Sequence, residues 1–268
     1  MRELLTGMVE SNMSTMFTDV NEKTSEIAAQ VGRTPQNWNS SVFSMIQNLS
    51  ESVVVPIAGI IITLVLCYEL ISMLTERNNL HDVDTWMFFK YFVKAWVAIY
   101  LVSNTFTITM AVFDVGQSVV NSASGIINGE TAIDVSSLSM QMQAAMATME
   151  IGELVVLALE TFLVSFCMKI MSVVITVIVY GRMIEIYLYT SLAPIPFATM
   201  SNREWGHVGT NYFRGLFALA FQAFLMMVCV AIYAALISSV RISSNMHSAL
   251  IGVAAYTVIL CFSLMKTG

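Results

Sequence analysis

Charged residues are scarce in this chain: Asp, Glu, Lys and Arg make up only 11% of its 268 residues. Soluble domains carry about a quarter charged residues, so the composition argues against an ordinary soluble domain. The 12 basic residues are outnumbered by 18 acidic ones, which gives a net charge of −6. This balance also argues against a basic, soluble DNA-binding protein.

Motifs that would indicate an enzyme or a metal site are missing as well. The sequence has no G-x-x-x-x-G-K-[ST] phosphate loop, no H-E-x-x-H and no G-x-S-x-G. Its four cysteines lie far apart inside apolar runs, without a C-x-x-C pair: Cys67, Cys167, Cys229 and Cys261. We therefore expect no catalytic residue, metal or cofactor, and a bound phospholipid is the one ligand that the pattern leaves open.

Apolar residues dominate what remains, at 57% of the chain with a mean hydropathy of +0.74. Apolar runs of about 20 residues are typical of helices that cross a bilayer. The sequence predicts five such spans, at roughly 53–74, 91–113, 154–192, 215–240 and 248–266. We therefore predict an all-α polytopic membrane protein with about five transmembrane helices.

The segments around these spans differ in polarity and periodicity, which predicts seven divisions of the chain. They are an amphipathic N-terminal helix (1–31), a linker (32–52), a transmembrane hairpin (53–113), an extracytoplasmic loop with an amphipathic helix (114–153), a long third helix (154–200), a cytosolic loop (201–214) and two further transmembrane helices (215–268).

The distribution of basic residues predicts the orientation, because short loops rich in Lys and Arg stay in the cytosol. With the N-terminus outside and five spans, the cytosolic side receives Arg77, Lys90, Lys94, Arg182, Arg203, Arg214 and Lys266. The outer side receives Arg2, Lys23, Arg33 and Arg241. The loop over 114–153 contains no Lys or Arg, which favours the outer side. We predict an N-out, C-in protein.

The third predicted helix is unusually long. From Leu154 to Leu192 it would measure about 58 Å, nearly twice the thickness of the hydrocarbon core. We expect copies of the chain or another protein to cover its projecting part, which indicates a homo-oligomeric ring. An alternative with six spans lets 183–198 cross separately, and it requires a tight turn at Gly181-Arg182.

Four charged residues lie within the predicted spans, where charge is unfavourable unless it is paired or faces water. Glu69 and Lys94 lie at matching depths, so we predict an ion pair between them. Lys169 and Glu160 are nine residues apart on one helix, about half a turn out of phase, and cannot pair easily. Lys169 either pairs elsewhere, or lines a hydrated lumen in an oligomer.

A polar elbow separates the third and fourth predicted spans. Pro194 and Pro196 break the helix there. Arg182 and Glu185 are i,i+3 neighbours that can form an ion pair just before the break. The candidate elbow residues, which we expect to contact lipid or a partner on the cytosolic side, are Arg182, Glu185, Pro194, Pro196, Arg203 and Arg214.

This elbow resembles the TrbL family of conjugal-transfer proteins, the polytopic inner-membrane subunits of type IV secretion systems. The resembling residues are Arg182-x-x-Glu185, the run Leu188-Tyr189-x-Ser191-x-Ala193-Pro194-Ile195-Pro196, and Tyr212-Phe213-Arg214-Gly215 followed by the helix with Gln222. The chain is most similar to the short forms carried by integrative conjugative elements of single-membrane bacteria.

The resemblance implies a non-enzymatic scaffold or channel subunit in the cytoplasmic membrane that supports DNA–protein transfer. It also implies a ring, a pentamer by resemblance, whose partners are membrane lipids, motor ATPases and an extracytoplasmic component; contact with the transferred DNA is left open. One alternative is a secondary transporter with a site at Lys169, Glu69 or Arg182, although the sequence shows no internal duplication. Another alternative is a holin-like membrane protein.

Overall fold

The computed structural model describes residues 1–75, 85–127, 135–239 and 246–268, and these ranges contain no β-strand. Their α-helices are α1 (Arg2–Val31), α2 (Pro35–Trp38), α3 (Ser40–Leu49), α4 (Val55–Thr75), α5 (Thr85–Ser103), α6 (Thr105–Ile127), α7 (Val135–Thr148), α8 (Ile151–Leu192), α9 (Pro194–Thr199), α10 (Gly206–Ser238) and α11 (Met246–Lys266). Arg77 and Arg241, which the orientation prediction used, lie outside the described residues.

Within these described ranges, five helical stretches are long and apolar enough to cross a membrane, which confirms the prediction of an all-α polytopic membrane protein. They are Ser40–Thr75, Thr85–Ser103, Ile151–Leu192, Gly206–Ile237 and Met246–Lys266. In each of them fewer than half of the residues in the most apolar window are buried within the chain. The remaining apolar surface is available to lipid or to other protein chains.

The first span begins earlier than predicted, because most of the predicted linker over 32–52 is helical. The Asn39 side chain accepts hydrogen bonds from the amides of Ser41 and Val42 and so starts α3. A π-helical turn at Ser50–Val54 then joins α3 to α4. Pro56 has no amide proton to donate, and the hydrogen-bond ladder shifts to the wider spacing just before it.

The second predicted span over 91–113 corresponds to α5 and the start of α6, and α6 continues as a helix to Ile127, inside the segment predicted as a loop over 114–153. The helical ladder passes through Asn104, whose amide donates to Tyr100 and whose carbonyl accepts from Ile108. The amphipathic helix predicted inside the loop corresponds to α7, in which Met142 and Met146 are buried. Residues 128–134 of the predicted loop lie outside the described residues.

The third apolar helix is a single unit of 42 residues, α8, which measures about 63 Å at 1.5 Å per residue. Gly181 and Arg182 lie inside it, without the turn that the alternative with six spans requires. That alternative is therefore wrong. The helix ends at Leu192 instead of extending to residue 200, and α10 begins at Gly206, inside the predicted loop over 201–214.

The helices form two compact units, to both of which α8 and α10 contribute. The first unit contains 1–33, 118–182 and 222–268. Its core is made largely of methionine and aliphatic side chains from α1, α7, α8, α10 and α11. The Arg2 guanidinium donates to the carbonyls of Ala147 (2.8 Å) and Met149 (2.7 Å), which attaches the start of α1 beside the start of α8.

The second unit contains 34–117 and 183–221. Here α3 and α6 pack on the last turns of α8 through Ile46, Phe106 and Tyr187. The Tyr187 hydroxyl donates to the Pro35 carbonyl at 2.6 Å. This bond connects α2 to α8 and fixes where the chain turns into the first span.

Candidate functional site

The candidate site is built around the helix break predicted at the two prolines. Pro194 and Pro196 have no amide protons, so the hydrogen-bond ladder of α8 cannot continue through them. The Ala193 amide instead donates to Thr190 at 3.3 Å, three residues back, and the Phe197 amide donates to Ala193 to begin the new helix. Pro194 occupies the first position of α9, where a missing donor has little effect.

The short helix α9 that follows the break is largely buried. Phe197 and Ala198 are 3% and 0% exposed. They pack against Ala58 and Ile62 of α4 and against Ala98 and Val102 of α5. Small side chains on all three helices allow this close approach, a usual feature of helix packing in membranes. The elbow therefore belongs to the core of the second unit.

Asn202, just after α9, joins the elbow to the hairpin formed by α4 and α5. Its side chain is 3% exposed, and its Oδ1 accepts from the amides of Glu204 (2.7 Å) and Trp205 (3.1 Å). Its Nδ2 donates to Glu69 Oε2 at 3.3 Å. Lys94 Nζ lies 2.6 Å from the other oxygen of the same carboxylate, so the predicted Glu69–Lys94 pair is formed.

A second set of contacts lies beside this network. The Tyr68 hydroxyl donates to Glu204 Oε2 at 3.0 Å. The Tyr68 and Trp205 rings stack with centroids 5.4 Å apart. We call the six residues that make these two sets of contacts the elbow clamp: Tyr68, Glu69, Lys94, Asn202, Glu204 and Trp205. The sequence indicated only Glu69 and Lys94, because the other contacts join residues more than 130 positions apart.

Two glycines of α10 allow the helix to pack closely on the elbow. A Cβ at Gly209 would lie 2.5 Å from the Pro196 carbonyl oxygen, and a Cβ at Gly215 would lie 2.6 Å from the Tyr189 hydroxyl. The Tyr189 and Tyr212 rings stack nearby, and the Tyr212 hydroxyl donates to the Tyr189 carbonyl at 2.7 Å. Larger side chains at these glycines would therefore push α10 away from the elbow.

The other predicted elbow residues differ in burial. Arg182 is 6% exposed, whereas Glu185 is exposed. Arg203 and Arg214 are both exposed.

The predicted intramembrane charges on α8 also lie apart. Glu160 contacts His247 Nδ1 at the start of α11, a partner that the sequence did not indicate. Lys169 is exposed on the side of α8. The need of Glu160 for a partner was visible in the sequence, but the choice of His247, 87 positions away, depends on how α8 and α11 pack.

The elbow clamp can hold its helices together, and the exposed cationic side chains beside it can bind anions. Its carboxylates accept hydrogen bonds from an amide, an ammonium and a phenol. Within the described parts of the chain no three His, Cys, Asp or Glu residues form a group that could hold a metal ion. Trp205 of the clamp and its chain neighbours Arg203 and His207 are exposed, and Arg214 is exposed on α10. Cationic and aromatic side chains of this kind suit phosphate headgroups or acidic protein surfaces.

Comparison with known families and structures gives one match. Residues 20–194, about two thirds of the chain, match the family described as TrbL/VirB6 plasmid conjugal transfer like protein. The match begins in α1 and ends at the first residue of α9, so it includes only the first part of the motif on which the resemblance was based. No curated protein and no solved structure matches the chain.

Proposed function

This chain belongs to the TrbL/VirB6 family of plasmid conjugal transfer proteins, and from that premise we propose a specific role for it. It is a multi-pass membrane component of conjugal transfer. Its proposed role is that of a non-enzymatic scaffold or channel subunit of a type IV secretion machine in the cytoplasmic membrane. It would support the passage of a DNA–protein substrate without performing chemistry on it.

The elbow clamp is the observation that supports this role best. It connects α4, α5 and the α9–α10 connection through one carboxylate and one buried amide. Polar groups that are all engaged with one another rigidify a structure, and they offer no activated nucleophile or base. A rigid elbow between apolar helices is what a subunit needs if it is to hold other subunits in place.

The exposed edge of the clamp is the proposed contact surface on the cytosolic side. Arg203 and Arg214 would bind acidic groups there, either on a motor ATPase or on lipid headgroups. This placement takes the predicted orientation as its premise, in which the loop over 201–214 faces the cytosol. The extracytoplasmic component would contact the opposite side.

The outer surface of α8 supports assembly into a ring. Beyond its most apolar segment, Ile184, Leu188 and Leu192 remain exposed along one side of it. A helix of about 63 Å exceeds a hydrocarbon core of about 30 Å, so lipid alone cannot cover it. Copies of the chain would cover the remainder, and the ring is a pentamer by family resemblance.

Transfer frequency tests the role directly. In a donor strain from which this gene is deleted, we expect the number of transconjugants per donor to fall to background and to recover with the wild-type gene. The variant Arg203→Ala/Arg214→Ala should reduce transfer at least tenfold while its abundance in the membrane stays normal. A deletion strain that transfers normally would refute the proposal.

A matched control removes two exposed basic residues from the other unit. Arg33 and Lys266 are both exposed, so Arg33→Ala/Lys266→Ala changes the net charge by the same amount. We expect transfer close to wild type. Equal losses in the two double variants would contradict a specific contact surface at the elbow. Native mass spectrometry of the purified protein tests the ring, and a strict monomer would contradict it.

A further inference from the structure

The N-terminal helix α1 lies lengthwise against α8 in the first unit. The Ser165 hydroxyl donates to the Asn12 carbonyl at 3.4 Å, and Lys23 Nζ donates to the Thr176 hydroxyl at 3.4 Å. Both pairs are 153 positions apart in the sequence. The two helices therefore run in the same direction and keep a constant register over this stretch, which measures about 16 Å.

The stretch of α8 that lies beside α1 belongs to the most apolar part of the helix. Between Thr161 and Val179 its only charged residue is Lys169. Three polar positions of the same stretch face α1: Ser165 and Thr176 make the contacts above, and Ser172 lines a recess together with Asp19 and Thr24. A flanking side of α8, about 60–140° around the helix from Ser165, exposes Phe162, Phe166, Ile170 and Val173.

The surface that α1 turns away from this core is polar from Ser11 onward. Its exposed positions there recur every three or four residues, at Ser11, Thr15, Thr18, Glu22 and Ser25, whereas Leu4 and Met8 are exposed near the start of the helix. Met13, Met16, Phe17 and Val20 form its buried side. The α1 helix is thus amphipathic, and its apolar side is already covered by the same chain.

A polar helix surface cannot face lipid, because hydrocarbon offers no hydrogen-bond partners to hydroxyl and carboxylate groups. If α8 crosses the bilayer, the constant register places Thr15 and Thr18 at the depth of its apolar segment. Lys169 lies about 40° around α8 from Ser165, which contacts α1, so its ammonium is at the edge of the same polar surface. Water is the occupant that satisfies all these groups.

We propose that the exposed side of α1 lines a water-filled passage at bilayer depth, while the flanking apolar side of α8, which carries Phe166, faces lipid. This inference deepens the proposed channel role and rests on it, because it takes α8 as a membrane span. It assigns the lining to a helix that is too polar to count among the five apolar spans.

Spin-label accessibility in lipid nanodiscs tests the proposal. Single cysteines are introduced at Thr15 on α1 and at Phe166 on α8, in a chain whose four native cysteines are replaced by serine. The register places Phe166 beside Met13, so the two sites share one depth. We expect a water-soluble nickel chelate to relax the Thr15 label more than oxygen does, and oxygen to dominate at the Phe166 label.

Every other pattern overturns the proposal. Oxygen dominating at Thr15 would place α1 in lipid, and nickel dominating at both sites would place this part of α8 outside the bilayer. A label at Thr15 that neither reagent reaches would show that protein covers α1. If Thr15→Cys does not fold, Ser11→Cys and Thr18→Cys report on the same surface.

These measurements need no transfer assay, so the two proposals can fail separately. A chain that shows the expected accessibility, but whose deletion leaves transfer unchanged, would refute the secretion role alone. A chain that is required for transfer, but whose α1 is in lipid or covered by protein, would refute the water-filled passage alone.

Discussion

Asn202 and Glu69 are 133 positions apart, yet the Asn202 amide donates to the Glu69 carboxylate across 3.3 Å. The same carboxylate also accepts from Lys94, so one side chain joins three helical regions of the second unit. Asn202 is almost completely buried, and its other amide atom starts the turn into α10. The elbow is therefore fixed by a few polar contacts between otherwise apolar helices.

Loss of the Asn202 side chain should weaken the elbow. Asn202→Ala leaves the amides of Glu204 and Trp205 without their acceptor and removes one donor to Glu69. We expect a loss of about 2 kcal/mol in the free energy of unfolding, measured in mixed micelles. The neighbouring variant Ser201→Ala is the control and should change stability by less than about 0.5 kcal/mol. Equal effects of the two variants would contradict the clamp.

Reversal of the Glu69–Lys94 pair should be tolerated better than either single change. Glu69→Lys and Lys94→Glu each replace the native 2.6 Å ion pair by two neighbouring like charges at a membrane helix end, which we expect to lower stability by about 1 kcal/mol because both groups are partly solvated. The double exchange should recover part of that loss, although Asn202 loses its acceptor. Thermal unfolding in detergent measures all three variants, and purely additive losses would rule out direct coupling.

The glycine at position 209 should not tolerate even a methyl group. Alanine normally stabilises a helix by up to about 1 kcal/mol over glycine, and Gly181→Ala and Gly252→Ala should do so because nothing lies within 4 Å of their added Cβ. In Gly209→Ala the Cβ would meet the Pro196 carbonyl at 2.5 Å, so we expect a loss of about 1–3 kcal/mol. Unfolding in micelles should therefore show a gain in stability for Gly181→Ala and Gly252→Ala and a loss for Gly209→Ala.

Replacement of both elbow prolines should let α8 continue past Leu192. In Pro194→Ala/Pro196→Ala the restored amides can donate to Thr190 and Leu192, and a longer α8 would withdraw Phe197 from its contacts with α4 and α5. A cysteine at Ala198, fully buried in the native elbow, should then react faster with a maleimide in detergent. An unchanged labelling rate would show that tertiary packing holds the break without the prolines. The same cysteine in the chain with both prolines is the reference.

The apolar spans and the Glu69–Lys94 pair could be predicted because their causes are local. Burial in lipid requires about 20 apolar residues in a row, and two opposite charges at equal depth on adjacent helices tend to meet. The break at Pro194 was visible for the same reason, since a missing amide proton acts on its own helix. The length of α8 followed from the absence of any such break between Leu154 and Leu192.

The burial of α9 and the partners of Asn202 and Glu160 could not be predicted in this way. A run such as Pro194-Ile195-Pro196-Phe197 is equally compatible with an exposed turn and with a buried one. The difference depends on the small side chains Ala58 and Ala98 on helices far away in the sequence. His247 likewise becomes the partner of Glu160 only because α11 packs along α8.

For this protein the sequence by itself determined which helices are apolar enough to cross a membrane, that the third of them breaks at the two prolines, and which residues carry charge there, because hydropathy, proline chemistry and charge act along the chain. Only the tertiary structure decided that α1 runs in register with α8 and that Asn202 reaches Glu69. Those contacts depend on which helix faces which, and on the small residues that let the helices approach.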